Sequence, residues 1–514
     1  MRKDKKSILN FSVSIFYKVA TILIGILLPK LFITTYGSAI NGLQSSVTQI
    51  FTYIALLESG IGVSTIQSLY KPIANKDYKT ANSYLSATTQ YYNKIGVIYF
   101  LILFIVAIVY PFVVTIDGTS YITVFLYIIL SGALTGISFF YLAKIKLLIS
   151  AEGDGYIVSA VSMLIYICSS ICKIALILVG VNIVVVQAAF LTINLVFTFV
   201  YYIIAKRKYP WVSFREKPDF SCVAQKNSVM VHKISGLIFQ NVDIILLTFL
   251  CDLKIVSIYT LYKMVVNMVT TVITTIGDSI NFVLGQTFNT EKNIEKPKYC
   301  SIIDTYNVFY SAISFALFGV LFVLLLPFMR LYTNGMDINY ILPALPYLFL
   351  IIEFLTVGRD AMLRTIEVAG HFKKTQSRAV IEAALNLTTS IVAILICKHY
   401  FGYVGGLYGA LIGTIISMLY RTIDINIYAN KKVLSRSSKK TFKVMLTNFV
   451  LFVSVILFNS FQKMTIDNYM QFFIVAAVLS LGFLTTFIIF QGIISPSETR
   501  FIFNYIKEKI KSRK

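Results

Sequence analysis

The chain has 514 residues, 57% of them hydrophobic and only 13% charged, with a mean hydropathy of +0.77; a water-soluble domain cannot bury that much apolar surface, so that class is excluded. The net charge of +23 does not point to nucleic acid, because the Lys and Arg residues sit in short clusters between apolar runs, as loops beside anionic headgroups do. The six cysteines are scattered with no C-x-x-C pair, which argues against a disulfide framework and a zinc site.

In chain order, MRKDKK leads into an apolar run too long for a signal peptide and without a small-residue cleavage site, so the first span is expected to be retained. Apolar helical runs fall at 8–34, 41–69, 87–116, 121–148, 156–180, 183–205, 226–250, 254–288, 300–329, 340–368, 375–397, 404–429, 442–462 and 469–494. At roughly 35 residues per span and loop, the length accommodates about fourteen helices. The expected fold is therefore an all-α polytopic membrane protein. One set of connections is basic: MRKDKK, Lys71/Lys76/Lys79, Lys144/Lys146, KRKYPWVSFREK, Lys292/Lys296/Lys298, Lys373/Lys374, KKVLSRSSKK and KEKIKSRK. The other set (YGSAIN, DGTS, GVN, CDLK, TNGMD, KHYFG, KMTIDN) is short and nearly uncharged. The positive-inside rule then places both termini in the cytoplasm, which requires an even number of spans.

The chain also looks duplicated, with a period of roughly 217 residues. NKDYKT near 75 answers to NTEKNIEK near 290, and the turn AEGDGY at 151–156 to AGHFKK at 369–374. The expected organisation is an N-terminal six-helix lobe at 1–210, a cytoplasmic linker at 211–225 and a C-terminal six-helix lobe at 226–430. A second linker at 431–441, helices 13 and 14 at 442–494 and a basic cytoplasmic tail at 495–514 complete it. Six spans per lobe make this a parallel repeat, and two lobes around a central cavity suit a transporter.

Polar residues inside the spans fall on helical faces. Asn10, Ser14, Lys18, Thr21 and Gly25 share one face of the first span, and Lys263, Asn267, Thr271, Thr274, Asp278 and Asn281 one face of the eighth. A charge at mid-span costs about 3 kcal/mol on insertion scales, so Lys18 and Lys263 are expected to face a hydrated, anion-accepting cavity. The hydroxyls and amides beside them fit either a cavity lining or interhelical glue. Asp360, Arg364 and Glu367 on the tenth span and Arg378, Glu382 and Asn386 on the eleventh also follow helical spacing. They suit either i,i+4 pairing near the headgroups or an inner gate closed by interhelical ion pairs. Glu58, His232 and Asp243 are single charges, for which structural partners are expected rather than proton or sodium sites. Gly405, Gly409 and Gly413 form a small-x-x-x-small ladder, the pattern of a close helix contact. The chain has no G-x-x-x-x-G-K-[ST] loop, so ATP is not the expected energy source. His232, His371 and His399 lack metal-ligand spacing, and no outer loop is large enough for a catalytic domain. The expectation is thus no catalytic residue, no metal and no cofactor, with H+ or Na+ open as a coupling ion and no nucleic-acid partner.

The stretches LLPKLFITTYGSAINGL, TYIALLESGIGVSTIQSLYKPIANKD and LLISAEGDGYIVSAVSMLIY, in a six-six-two arrangement over essentially the whole chain, resemble the polysaccharide (Wzx-type, O-antigen/capsule/teichoic-acid-like) flippases of the multidrug/oligosaccharidyl-lipid/polysaccharide (MOP) exporter superfamily. The resemblance implies a multi-pass protein of the bacterial cytoplasmic membrane. It implies alternating access that moves an undecaprenyl-diphosphate-linked oligosaccharide from the inner to the outer leaflet, beside membrane lipids and other polysaccharide-assembly proteins. In related lipid II flippases, cationic residues on the first and eighth spans face the cavity and meet the diphosphate; Lys18 and Lys263 occupy similar places here. Those relatives use arginine, whereas lysine acts as a point charge rather than a bidentate fork. A cation-coupled multidrug exporter of the same superfamily would favour twelve spans and an acidic residue deep in a lobe. A membrane glycan polymerase or ligase would need a sizeable outer loop, and the longest outer connection, near 330–340, is short.

The topology is testable by impermeant thiol labelling from outside. A cysteine placed at Ser120 should react and one at Ser437 should be protected; the reverse pattern would overturn the orientation.

Overall fold

The computed structural model describes residues 3–58, 61–214, 216–223, 241–291, 296–461 and 466–511. Among them there are helices and no strands, as expected where backbone N–H and C=O groups must be satisfied without water. The helices are α1 (Lys3–Tyr36), α2 (Ser38–Ala55), α3 (Ile61–Ala74), α4 (Tyr78–Val113), α5 (Tyr121–Ala151), α6 (Gly155–Leu178) and α7 (Ile183–Lys208). Then come α8 (Asn241–Leu250), α9 (Leu253–Asp278), α10 (Asn281–Thr290), α11 (Pro297–Tyr332), α12 (Leu345–Val368), α13 (Phe372–Tyr428), α14 (Lys439–Phe461), α15 (Tyr469–Ile494) and α16 (Pro496–Lys511). Nine helices among the described residues are long and apolar enough to cross a membrane. With the shorter and bent elements they give the fold of about fourteen spans. The second expected span is split into α2 and α3 by a short 3-10 turn at Leu56–Glu58. The eleventh and twelfth are the two helical rods of α13, which meet at a kink at Gly402, whose φ of +67° suits a residue without a side chain. The expected basic tail is largely helix α16, with an acidic Glu498 in its first turn.

The chain divides into two compact units, Met1–Ser257 with Met336–Ile338, and Ile258–Gly335 with Asn339–Lys514. Unit 1 thus continues through α8 into the first turn of α9. Its core is built from α4 and α5 around Tyr99, Leu103, Ala107 and Ile128, all fully buried. The opposite stripe of α4 carries Leu101, Ile105, Ile108 and Phe112, all exposed, the last by 72%. An apolar face turned outward along a whole helix is what a lipid solvent selects.

Unit 2 is organised on α11, the most buried of the candidate spans. Asp304 on α11 accepts two bonds from Arg436, at 2.9 and 2.7 Å, and one from Lys440 at 2.8 Å. Lys440 also pairs with Glu498, so the start of α14 and the start of α16 are fastened to one carboxylate cluster. Burial would raise the Glu498 carboxyl, but Lys440 and Ser497 outweigh it and hold it below its usual range.

The two rods of α13 meet backbone to backbone. A Cβ at Gly405, Gly409 or Gly413 would run into the main chain of Cys397, Ala393 or Ser390. The seam is pinned by Asn386, which donates to Thr414 and Ser417 at 3.1 and 3.2 Å, and by the Thr389 hydroxyl, 3.0 Å from the Gly413 carbonyl. Gly409→Val should push the rods apart and cost about 3 kcal/mol through overpacking. A fall in melting temperature in detergent larger than that of Gly482→Val, where nothing lies within 4 Å of the added Cβ, is the expected readout.

Candidate functional site

The polar face expected on the eighth span is present on α9. Asn267, Thr274 and Asp278 are exposed along it, with Lys263 and Thr271 half-buried. The hydroxyls return to their own helix: Thr271 donates to the Asn267 carbonyl at 2.6 Å and Thr274 to the Thr271 carbonyl at 3.2 Å. Lys263 Nζ lies 3.3 Å from the Tyr259 hydroxyl and 5.3 Å from the centre of its ring. Glu353 on α12 lies near Thr270 and within electrostatic reach of Lys263 and Arg359. Asn281 begins α10 beyond the turn at 279–280 and is exposed.

On the first span, the side chains of Asn10, Ser14 and Lys18 lie outside the described residues, although their backbone belongs to α1. Thr21 is half-buried, and its carbonyl accepts the Tyr166 hydroxyl of α6 at 3.3 Å. His232 also lies outside the described residues. Glu58 lies near Tyr92 and Lys146, while Asp243 is buried beside Tyr53.

The charges expected on the tenth and eleventh spans fall into two groups. Around Arg364, the guanidinium donates to Asp360 at 2.7 Å, Asn281 at 2.6 Å and Asp278 at 3.3 Å, and Tyr306 donates to the same Asp360 oxygen at 2.6 Å. Gly277 makes this possible, since a Cβ there would stand 2.5 Å from the Arg364 guanidinium. Arg364 therefore ties α12 to the α9–α10 corner. Around Glu382, Arg359 donates at 2.6 Å and Arg421 at 3.1 Å; Arg421 also reaches Asp424 at 2.7 Å, and Asp424 takes Arg378 as well. This second group joins α12 to both rods of α13. Glu367 is exposed and makes no ion pair with a described residue, although it feels the Arg364 charge. Asp360–Arg364 is an i,i+4 pair within one helix, whereas Arg359–Glu382 and Arg378–Asp424 link helices or rods.

Several participants were not singled out from the sequence. Glu353 lies seven residues before Asp360 on the same helical stripe, so its spacing was a usable signal. Arg421 and Asp424 follow Thr414 and Ser417 along one polar stripe of the second rod. Lys173 is the lone lysine of α6; it is 9% exposed, and its ammonium lies 3.8 Å from the centre of the Phe190 ring on α7. Among the described residues no group of three His, Cys, Asp or Glu is arranged to hold a metal ion.

No family model and no curated protein matches this chain. Solved structures do. One is an inward-facing multidrug resistance MATE family transporter of the MOP superfamily, with a TM-score of 0.64 and 16% identity over 82% of this chain and 98% of that one. Another is the lipid II flippase MurJ in an inward closed conformation, with a TM-score of 0.63 and 14% identity over 94% and 99%. A MOP superfamily transporter from Pyrococcus furiosus, described as having a binding pocket of reversed polarity, gives 0.52 and 15% over 84% and 95%. Identities this low show the fold alone. The chain is a multi-pass membrane protein with the fold of MOP superfamily transporters.

The Glu382 group sets a stability test. Glu382→Ala would leave Arg359 and Arg421 buried without their shared carboxylate and should cost about 3–5 kcal/mol. A double-mutant cycle in thermal stability should give coupling between Arg359 and Glu382 and near-additivity between Arg364 and Glu382, which have no partner in common.

Proposed function

We propose that this protein is a flippase for a polyprenyl-diphosphate-linked oligosaccharide, of the polysaccharide-exporting kind, working by alternating access in a bacterial cytoplasmic membrane. The observation that carries the reading is the polar face of α9. A membrane helix with Asn267, Thr274 and Asp278 exposed beside Lys263 is unsuited to acyl chains and suited to water and a polar cargo. The fold of MurJ, a lipid II flippase, supports it. In this reading Lys263 and Lys18 meet the diphosphate. Asn10, Ser14, Thr21, Asn267, Thr271, Thr274, Asp278 and Asn281 line the polar route, so that no sugar crosses hydrocarbon. The cluster from Lys263 through Arg359, Arg421 and Arg378 sets four cations against Glu353, Glu382 and Asp424. The charges of Asp360, Arg364, Glu367, Arg378 and Glu382 serve in this reading as an inner gate.

A second reading has its own observation. Glu353 is a carboxylate within a span of unit 2, close to Lys263, and a cation-coupled multidrug exporter needs such a group; the MATE family transporters share the fold. Reconstituted protein separates the two. For a flippase, liposomes should translocate a fluorescent polyprenyl-diphosphate sugar, and Lys18→Ala or Lys263→Ala should each slow this at least roughly ten-fold, about 1.4 kcal/mol of barrier. Lys→Arg should retain part of the rate. Normal flipping by both alanine variants would remove the lysines from the route. Cation-driven efflux of a lipophilic dye, lost in Glu353→Gln, with no flipping, would establish the exporter instead.

A further inference from the structure

A groove of about 360 Å³ lies in unit 1 where α5 and α7 end and the segment 209–214 folds back across them. Its volume is within the range of ordinary small-ligand sites, roughly 300–1,000 Å³. The floor is apolar, built from Ile145, Leu148, Val212 and Phe214, with Tyr202 and Lys206 at its margin. Three cations of this end are handled differently from their neighbour Lys208. Lys208 is neutralised by Asp154 at 2.8 Å, and the same carboxylate accepts the Tyr209 hydroxyl at 2.7 Å. Lys206 and Arg207 are exposed and pair with no carboxylate among the described residues. Lys144 rests over the Phe214 ring at 4.9 Å, again without a carboxylate.

We infer that this groove is a binding site for an anionic glycerophospholipid, independent of the transport route. One acyl chain lies on the apolar floor, and the phosphate is held by Lys206 at the groove's margin, with Arg207 and Lys144 adding their fields. The chemistry selects this occupant. An apolar trough that ends in uncompensated cations, on a protein whose solvent is the bilayer, complements a chain joined to a phosphate. Basic pockets between transmembrane helices bind acidic headgroups by the same logic. A neutral lipid would fill the trough but leave the cations unanswered, and a free phosphate would leave the trough to water.

The test is native mass spectrometry of delipidated full-length protein exposed to phosphatidylglycerol or phosphatidylcholine of matched chains. Phosphatidylglycerol should be retained preferentially. Each cation near a membrane surface is worth about five-fold in affinity, so K206Q/R207Q should lower its retention by roughly 25-fold relative to phosphatidylcholine. An unchanged melting temperature would show that the double variant is folded; should it not fold, the single variant K206Q, with roughly a five-fold loss, carries the same test. Glycerophosphoglycerol, the headgroup without chains, should fail to compete. Equal retention of the two lipids, undiminished phosphatidylglycerol binding by the folded variant, or effective competition by the chainless headgroup would each overturn the assignment.

Discussion

A carboxylate or guanidinium inside a membrane bundle is tolerable only with its opposite within hydrogen-bonding reach, because the desolvation of each costs several kcal/mol and an orphaned partner more. The structure repeatedly meets that condition by giving one carboxylate two donors. Asp304 holds Arg436 and Lys440, Glu382 holds Arg359 and Arg421, Asp424 holds Arg378 and Arg421, and Asp360 holds Tyr306 and Arg364. The donors come from different helices, from a helix and the connection before it, or from different stretches of one helix, so each neutralised charge is also a joint. In unit 2 these joints fix which helices are neighbours.

Between the joints, close packing is left to small residues. The Gly405–Gly409–Gly413 ladder brings two backbones into contact, where dispersion and buried hydrogen bonds do the holding that water expulsion does in a soluble core. Gly277 has a related use, since its missing side chain lets the Arg364 guanidinium cross to Asn281. The outer stripes of α4 and α15 show the complementary rule, with Leu101, Ile105, Val478 and Leu481 exposed because lipid is their solvent. A charge on such a stripe would have no joint to make.

Polar groups that escape both rules then stand out. The face of α9 is neither packed nor apolar, and Lys263 shares its neighbourhood with Glu353 instead of forming an isolated cation.

The sequence by itself determined the class and the span pattern. Runs of apolar residues long enough to cross hydrocarbon, separated by alternately basic and neutral connections, leave helices as the available structure, because periodicity and backbone satisfaction are local properties. The α9 face and the glycine ladder were legible for the same reason: residues three or four apart share a face whatever surrounds them. The break of the second span at Leu56–Glu58 was not, since no proline interrupts that run. Nor were the partners of the charges. Arg364 and Glu382 were legible as members of polar stripes, yet one pairs across to Asn281 and the other to Arg359 and Arg421. Asp304 gave no sign of reaching residues more than a hundred positions away. Helical spacing tells which side chains share a face, but only the packing of one helix on another decides which opposite charge comes within the three ångströms or so at which a buried ion pair offsets its desolvation.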